Sequence, residues 1–535
     1  MYSVDDTVEN FLSVCSQFKL GKLLTERSNE LTANLSQLCS APETLPRGLE
    51  ALQAVDIAAV EKLRDIVPQM EELAKDVDAV FRAGKKVVCE GCGATGRLSL
   101  SVEVFAKEGM VEAPEYQSKV LGFMAGGDAA FIRSIESFED RASYGERQLR
   151  EIGFEDGDLL LAITEGGETT FVIAACEEAT KISPSTRPYF IYCNPDEILK
   201  EVAERSRRVI ENDRIKKINI TVGCMAITGS TRMQATTVQL LCAGLAIRHH
   251  ANPSRIANDV EEMIMLTKTM NYGKLAPFTA AEAKLYKAQQ YFLYETDYFS
   301  VTVMTDTTER APTFSMPPFE NFNDPTQPPS PVYLLLPSAP PGPLEGWTRL
   351  LRRPPRTLEW AETKHRTGLE TVLGYDISPL VAEKRAQRIG HEKTKHRAVV
   401  ALETNGVSFA FPHEKLVVVI ELPSSIVNDK LLVNVAAKML LNAHSTAVMG
   451  VLGRYEGNVM TFARPSNFKL IDRAARYITL LLQRRLSSSG AQSTGFPSYE
   501  AICRAIYARR GLLREDEPIV LDVVGFFSRE MGIKD

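Results

Sequence analysis

Three segments far apart in the chain carry residues suited to holding an anion. They are Gly91-Cys92-Gly93-Ala94-Thr95-Gly96-Arg97, Thr164-Glu165-Gly166-Gly167-Glu168-Thr169-Thr170 and Thr228-Gly229-Ser230-Thr231-Arg232. Each ends an apolar run and precedes a stretch of helical period. At such a turn backbone N–H groups point outward, the helix dipole favours negative charge, and hydroxyls add donors. Three of them in one α/β region point to a pocket for a phosphorylated small molecule. Gly91, Gly93 and Gly96 also satisfy the G-x-G-x-x-G fingerprint of dinucleotide sites. That fingerprint wants an acid at the end of the next strand. Here the next strand runs into Ala125-Gly126-Gly127, and Asp128 is the first acid after it. The hydroxyls of the other two turns suit a single sugar phosphate better than a pyrophosphate, so no cofactor is expected.

Metal chemistry has little support. Cys89 and Cys92 form a C-x-x-C with no second pair at zinc spacing, and the seven histidines show no ligand spacing. Nine cysteines, an odd number scattered through apolar patterns, read as reduced core thiols. His444, on an apolar helix, reads as a hydrogen-bonded core residue.

Elements that would position the turns follow in order. Strands are expected at Lys86–Glu90, Val120–Met124, Asp158–Thr164, Tyr189–Tyr192 and Ile218–Val222. Helices are expected at Leu98–Lys107, Phe171–Thr180 and Met233–Ile247. Near-continuous apolar strands alternating with helices argue for a parallel sheet covered on both faces, with ligands at the carboxyl ends of its strands. Upstream, Thr25 to Thr32 reads as a polar capping loop, and Ile57 to Phe81 has helical spacing. Residues 312–356 hold 13 of the 28 prolines, too many for regular helix or central strand. Val332 to Leu336 within them still reads as a strand, which implies an irregular insertion in a second domain. That domain would add strands at Phe299–Met304, Ala398–Glu403 and Leu416–Glu421. The basic stretch Lys384 to Arg397 reads as a solvated face. Helices follow at Leu431–Met449, Phe468–Gln483 and Tyr499–Arg510, with a loop over 487–495.

A chain of 535 residues exceeds one core and implies several domains. Its net charge of -6 gives no reason to expect nucleic acid or an anionic membrane as partner. No uninterrupted apolar run is long enough to span a bilayer, and the first residues lack a signal-peptide pattern. A cytoplasmic location is the expectation, with a nuclear one left open.

The motifs Gly91 to Leu98, Ala125 to Asp128, Glu136 to Asp140 and Thr228 to Met233 occur in an order that resembles a known family. Together with Thr25 to Thr32, Leu441 to Met449 and Arg464 to Ala474, they are similar to the glucokinase regulatory protein and N-acetylmuramic acid 6-phosphate etherase family, built on SIS (sugar isomerase) domains. The resemblance spans most of the chain and is loose over 300–430. It implies an α/β fold of two tandem SIS domains, each a flavodoxin-like parallel sheet sandwiched by helices, with N-terminal helices and a C-terminal helical lid. The expected divisions are a helical segment 1–80, a first SIS domain 81–290 with the phosphosugar site, a second 291–450 with the proline-rich insertion, and a lid 451–535. The tandem layout is nearer the regulatory-protein branch. It implies a sugar phosphate as ligand, a hexose kinase as partner, and a monomer, because both SIS domains lie in one chain.

Carried over residue by residue, the resemblance places Gly93, Ala94, Thr95 and Gly96 in the first phosphosugar turn. Thr164, Glu165 and Gly166 fall in the second, and Ser230 and Thr231 in the third. Lys469 and Arg473 are the lid's basic pair; at i, i+4 they share one helix face. Glu139 falls on the etherase base, with a paired surface carboxylate as the plainer alternative. The etherase acid falls on Phe105, which cannot transfer a proton, and Glu103 lies about 200° around the helix. The resemblance therefore leans away from an enzyme and toward a sensor of a fructose phosphate-like ligand. An aminosugar phosphate lyase or isomerase using Glu139 is the alternative, with Glu165 and Glu168 as replacement acids or sugar-hydroxyl acceptors. Gln234 stands where the family commonly has lysine.

Overall fold

A computed structural model describes residues 7–17, 19–463, 465, 468–489, 495–514 and 517–533. The family-like residues Arg464, Ser466 and Asn467, the chain start at 1–6 and most of the expected 487–495 loop lie outside these. Ser487 to Ser489 are helical, because the helix expected to end at Gln483 continues to Ser489.

The first sheet holds β1 (Val87–Gly91), β2 (Val120–Met124), β3 (Leu159–Ile163), β4 (Tyr189–Tyr192) and β5 (Lys216–Asn219), all parallel in the order β2-β1-β3-β4-β5. β1 and β3 are buried along their whole length, as a sheet covered on both faces requires. β5 sits two residues before its expected start, where alternating Lys216-Lys217-Ile218-Asn219 pairs with β4 at the sheet edge. The strand order reverses at β1, so β2 lies to one side of it and β3 to the other. A crevice opens there at the carboxyl ends, and the first two turns follow β1 and β3.

The second sheet is mixed. β6 (Phe292–Glu295), β7 (Val332–Leu335) and β8 (His396–Glu403) pair in parallel, while β9 (Gly406–Phe411) and β10 (Leu416–Glu421) complete an antiparallel meander in the order β10-β9-β8-β6-β7. The strand expected at Phe299–Met304 is instead the start of a helix, Ser300–Phe314. Its β-branched residues mimic a strand locally, but Asp306 and Arg310 pair at i, i+4, and Thr305, Thr307 and Thr308 donate to carbonyls one turn back.

Ile57 to Phe81 is two helices, Leu45–Glu61 and Val67–Arg82, separated by a 3₁₀ turn, with Pro68 in the first turn of the second. The stretch from Lys384 to Arg397 is a solvated face only in part: Lys393 and Lys395 are exposed. Arg385 is buried on Glu320, Lys384 pairs with Asp376, and Arg397 pairs with Glu295. Arg385, on helix Val381–Ile389, also donates to the Ser330 carbonyl and so ties the proline-rich insertion to that helix. No described helix is long and apolar enough to cross a membrane.

Candidate functional site

The first turn is built by backbone constraints. Gly93 has φ +53, a left-handed value that a side chain would strain. A Cβ on Gly96 would lie 2.4 Å from that of Met124, so only glycine lets helix Gly93–Phe105 pack on β2. Thr95 is buried. Its hydroxyl donates to the Cys92 carbonyl and accepts from the Cys92 N–H, at 2.9 and 3.1 Å. It closes the turn as a cap. In the second turn the buried Thr164 hydroxyl bonds that of Thr169 at 3.1 Å and accepts from the Gly167 N–H. The third turn is tied to the N-terminal segment and the lid: Gly229 N–H donates to the Thr25 carbonyl, and the Tyr477 hydroxyl donates to that of Thr228.

Nine of the twelve expected site residues line one cleft of about 230 Å³: Gly93, Ala94, Glu139, Glu165, Gly166, Ser230, Thr231, Lys469 and Arg473. Thr95, Gly96 and Thr164 stand behind it as turn-formers. Three contributors escaped the sequence reading. Glu26 comes from the N-terminal segment, Glu309 from helix Ser300–Phe314, and Arg232 from the third turn itself. Arg232 was visible in the turn motif; Glu26 and Glu309 carry no local signal, because only the fold brings them in.

Charges in the cleft are largely paired with one another. Lys469 Nζ donates to Glu139 at 3.0 Å and to Glu168 at 2.8 Å. Arg473 and Arg476 share Glu26. Glu168 also holds Arg205 at 2.6 Å, and against its burial these two cations keep it down at about 2. Glu165 differs. Burial pushes its carboxyl up to about 7; nearby Glu309 and Glu139 add to the rise, while the Thr231 hydroxyl opposes it. Glu165 can therefore carry a proton near neutral pH in a site where Glu168 stays ionised. Such a divergence between neighbouring carboxyls is what acid–base chemistry uses.

Phe105 is buried at 1 % exposure. Glu103 points at β2, where it accepts from the Gly122 N–H and binds Lys107, Arg353 and Arg356. Burial alone would raise its carboxyl, but these cations hold it at about 2, so it cannot serve as a proton donor. Asp128 is similarly committed, accepting from Arg353 and from the Arg356 N–H. At Gln234, the side chain donates to buried Asp56, and Lys438 from helix Lys430–Val451 stands nearby. Lys438 donates to the carbonyls of Arg232 and Met233. Lys438, from the second half of the chain, thus stands beneath the third turn, with burial lowering its ammonium to about 7.

The segment just after the proline-rich insertion also reaches this site. Trp360 stacks on Phe138 at 5.7 Å and 19°, meets Tyr144 edge-on, and donates its indole N–H to Glu151. Phe138 adjoins Glu139 on the short helix Glu136–Glu139, so Trp360 fixes the wall that carries Glu139. Trp360→Ala is expected to cost about 3 kcal/mol of stability by opening a cavity. It should also weaken ligand binding without removing a ligand contact, and Trp360→Phe should recover most of both; denaturant unfolding and titration of each variant check this.

A family model described as the glucokinase regulatory protein N-terminal SIS domain matches residues 65–180. N-acetylmuramic acid 6-phosphate etherase 2 of Vibrio cholerae serotype O1 is 30% identical over 257 residues, covering 48% of this chain and 76% of that protein. The chain belongs to the glucokinase regulatory protein and N-acetylmuramic acid 6-phosphate etherase family. An etherase of Klebsiella aerogenes is 29% identical over 247 residues, covering 45% of this chain and 75% of its own. Among solved structures, a tagatose-6-phosphate ketose/aldose isomerase from Escherichia coli aligns with TM-score 0.41 and 11% identity, covering 77% of this chain and 95% of that one. The architecture is that of the family: α/β, SIS-type, with helical extensions at both ends.

Proposed function

We propose that the cleft binds a sugar phosphate. The observation that carries this is the convergence of three glycine- and hydroxyl-bearing turns with Lys469 and Arg473 on one cleft. The phosphate would take Lys469 from Glu139 and Glu168, leaving Glu168 on Arg205 and freeing Glu139 toward the sugar.

Of two forms of this function, the names of the relatives favour an enzyme on an aminosugar phosphate, an etherase-like lyase or an isomerase. Glu139 would be the base that takes the proton beside the carbonyl-like carbon. Glu165, the protonatable carboxyl of the cleft, would be the acid in place of the residue lost at Phe105. A specific observation favours the second form: Phe105 is buried and Glu103 is clamped, so the family's acid is absent. In that form the chain is a regulator of the glucokinase-regulator type, a monomer that senses a fructose phosphate-like ligand and controls a partner hexose kinase by population shift.

Lactate release from N-acetylmuramic acid 6-phosphate separates them. The lyase form predicts release that falls at least about 100-fold in Glu139→Gln. It also predicts a rate declining as pH rises through about 7, where Glu165 loses its proton. Saturable binding with no lactate from the wild type leaves the regulator.

A further inference from the structure

The cleft is one end of a longer groove. Past Pro312, Thr313, Met460 and Arg473 it opens into a second hollow of about 280 Å³. That hollow shares Arg133, Ser315, Met316 and Pro318 with a third, of about 570 Å³. A single phosphosugar is served by the first hollow; the third reaches the scale of sites for larger ligands.

Charge changes sign along the groove. The cleft is lined by Glu26, Glu139, Glu165, Glu168 and Glu309. The described residues of the two outer hollows include no carboxylate, and they carry Arg133, Arg454 and Arg473. Arg133 is exposed and engages no carboxylate among the described residues. Gln289 and Gln290 line the outermost hollow and offer amide donors and acceptors, while Gln327 in the same wall is held by the Asn321 N–H and Asp324. Gln289 and Ser315, both in its wall, hold left-handed backbone at φ 51 and φ 50 where helices Ala276–Lys287 and Ser300–Phe314 end.

We propose that the ligand of the cleft is a sugar phosphate bearing an acidic, peptide-like arm, and that the arm lies in this groove. The inference rests on the sugar-phosphate reading of the cleft. Arg133 would pair a carboxylate of the arm, glutamine side chains would bond its amides, and the proline and tyrosine walls would cover its apolar parts.

The test titrates the full chain with three probes. They are N-acetylmuramic acid 6-phosphate, the same sugar with its lactyl carboxyl extended by an alanyl-glutamate dipeptide, and a uridine diphosphate sugar. The extended probe is expected to bind at least about tenfold tighter than its parent, and Arg133→Glu should erase that advantage. Arg133 is exposed, so this variant should fold normally. Equal or weaker binding of the extended probe, with the parent binding well, overturns the inference and leaves the sugar-phosphate site standing. Preference for the nucleotide sugar overturns the peptide arm. Failure of all three probes and of fructose 6-phosphate removes the cleft reading and the inference with it.

Discussion

Replacing Lys469 by methionine is expected to weaken sugar phosphate binding by about 100-fold, because one charge-assisted contact to a phosphate contributes about 1.5–3 kcal/mol. Lys469 stands at the meeting point of the site's charges. In the empty cleft it bridges Glu139 and Glu168; a phosphate must win it from both. Glu168 retains Arg205 when that happens, so the exchange leaves only Glu139 to find a new partner on the ligand. The methionine variant has no cation to surrender and leaves Glu139 facing the phosphate, adding repulsion to the lost contact. Lys469→Arg keeps the charge on the same helix face and should lose less than tenfold of affinity, by the same scale. Calorimetric titration of both variants with fructose 6-phosphate decides the matter. Binding of the methionine variant within twofold of wild type would remove the lid from the site.

Arg310→Met is expected to be among the most destabilising single changes, costing about 3–5 kcal/mol. Arg310 is fully buried and holds Glu282 at 2.5 Å and Asp306 at 3.1 Å. Asp306 in turn accepts from Arg232, Ser445 and Asn442, and Glu282 bonds His444 and Tyr294. This buried network runs from the third turn into the second half of the chain. Without the guanidinium, two carboxylates remain in the core with too few cations. The pH dependence has a definite sign. Burial would raise Glu282, but Arg310 and His444 hold it at about 2, below the 4.5 of a free carboxyl. The stability this adds to the wild type is fully present above about 4.5 and is lost as pH falls toward 2. In the variant Glu282 should be raised instead, so acid protonates it and relieves the strain. The gap between variant and wild type should therefore narrow from pH 7 to pH 5 in denaturant unfolding; a constant gap would assign the loss to packing alone.

Much of the site was legible because its parts are local. Gly93 and Gly96 report a turn through backbone geometry and close packing, and Lys469 and Arg473 report a shared face through spacing alone. What stayed hidden depends on distant segments. Glu26 reaches the cleft through contacts with Arg473 and Arg476 across nearly the whole chain, and Glu309 enters from a helix whose first residues imitate a strand. Thr95 and Thr164 show the opposite limit: a hydroxyl in an anion-binding turn can be consumed by the turn itself. Arg385 shows that a run of charge says nothing of burial until its partner, here Glu320, is placed beside it. The clamp of Arg353 and Arg356 on Glu103 could not be read either, because the proline-rich insertion has no period to give its path.

The most direct measurement is a calorimetric titration of the wild-type protein with fructose 6-phosphate, fructose 1-phosphate and N-acetylmuramic acid 6-phosphate. Saturable binding of at least one of them is the predicted result. No heat of binding from any of the three, with the protein folded, would contradict a phosphosugar site in the cleft.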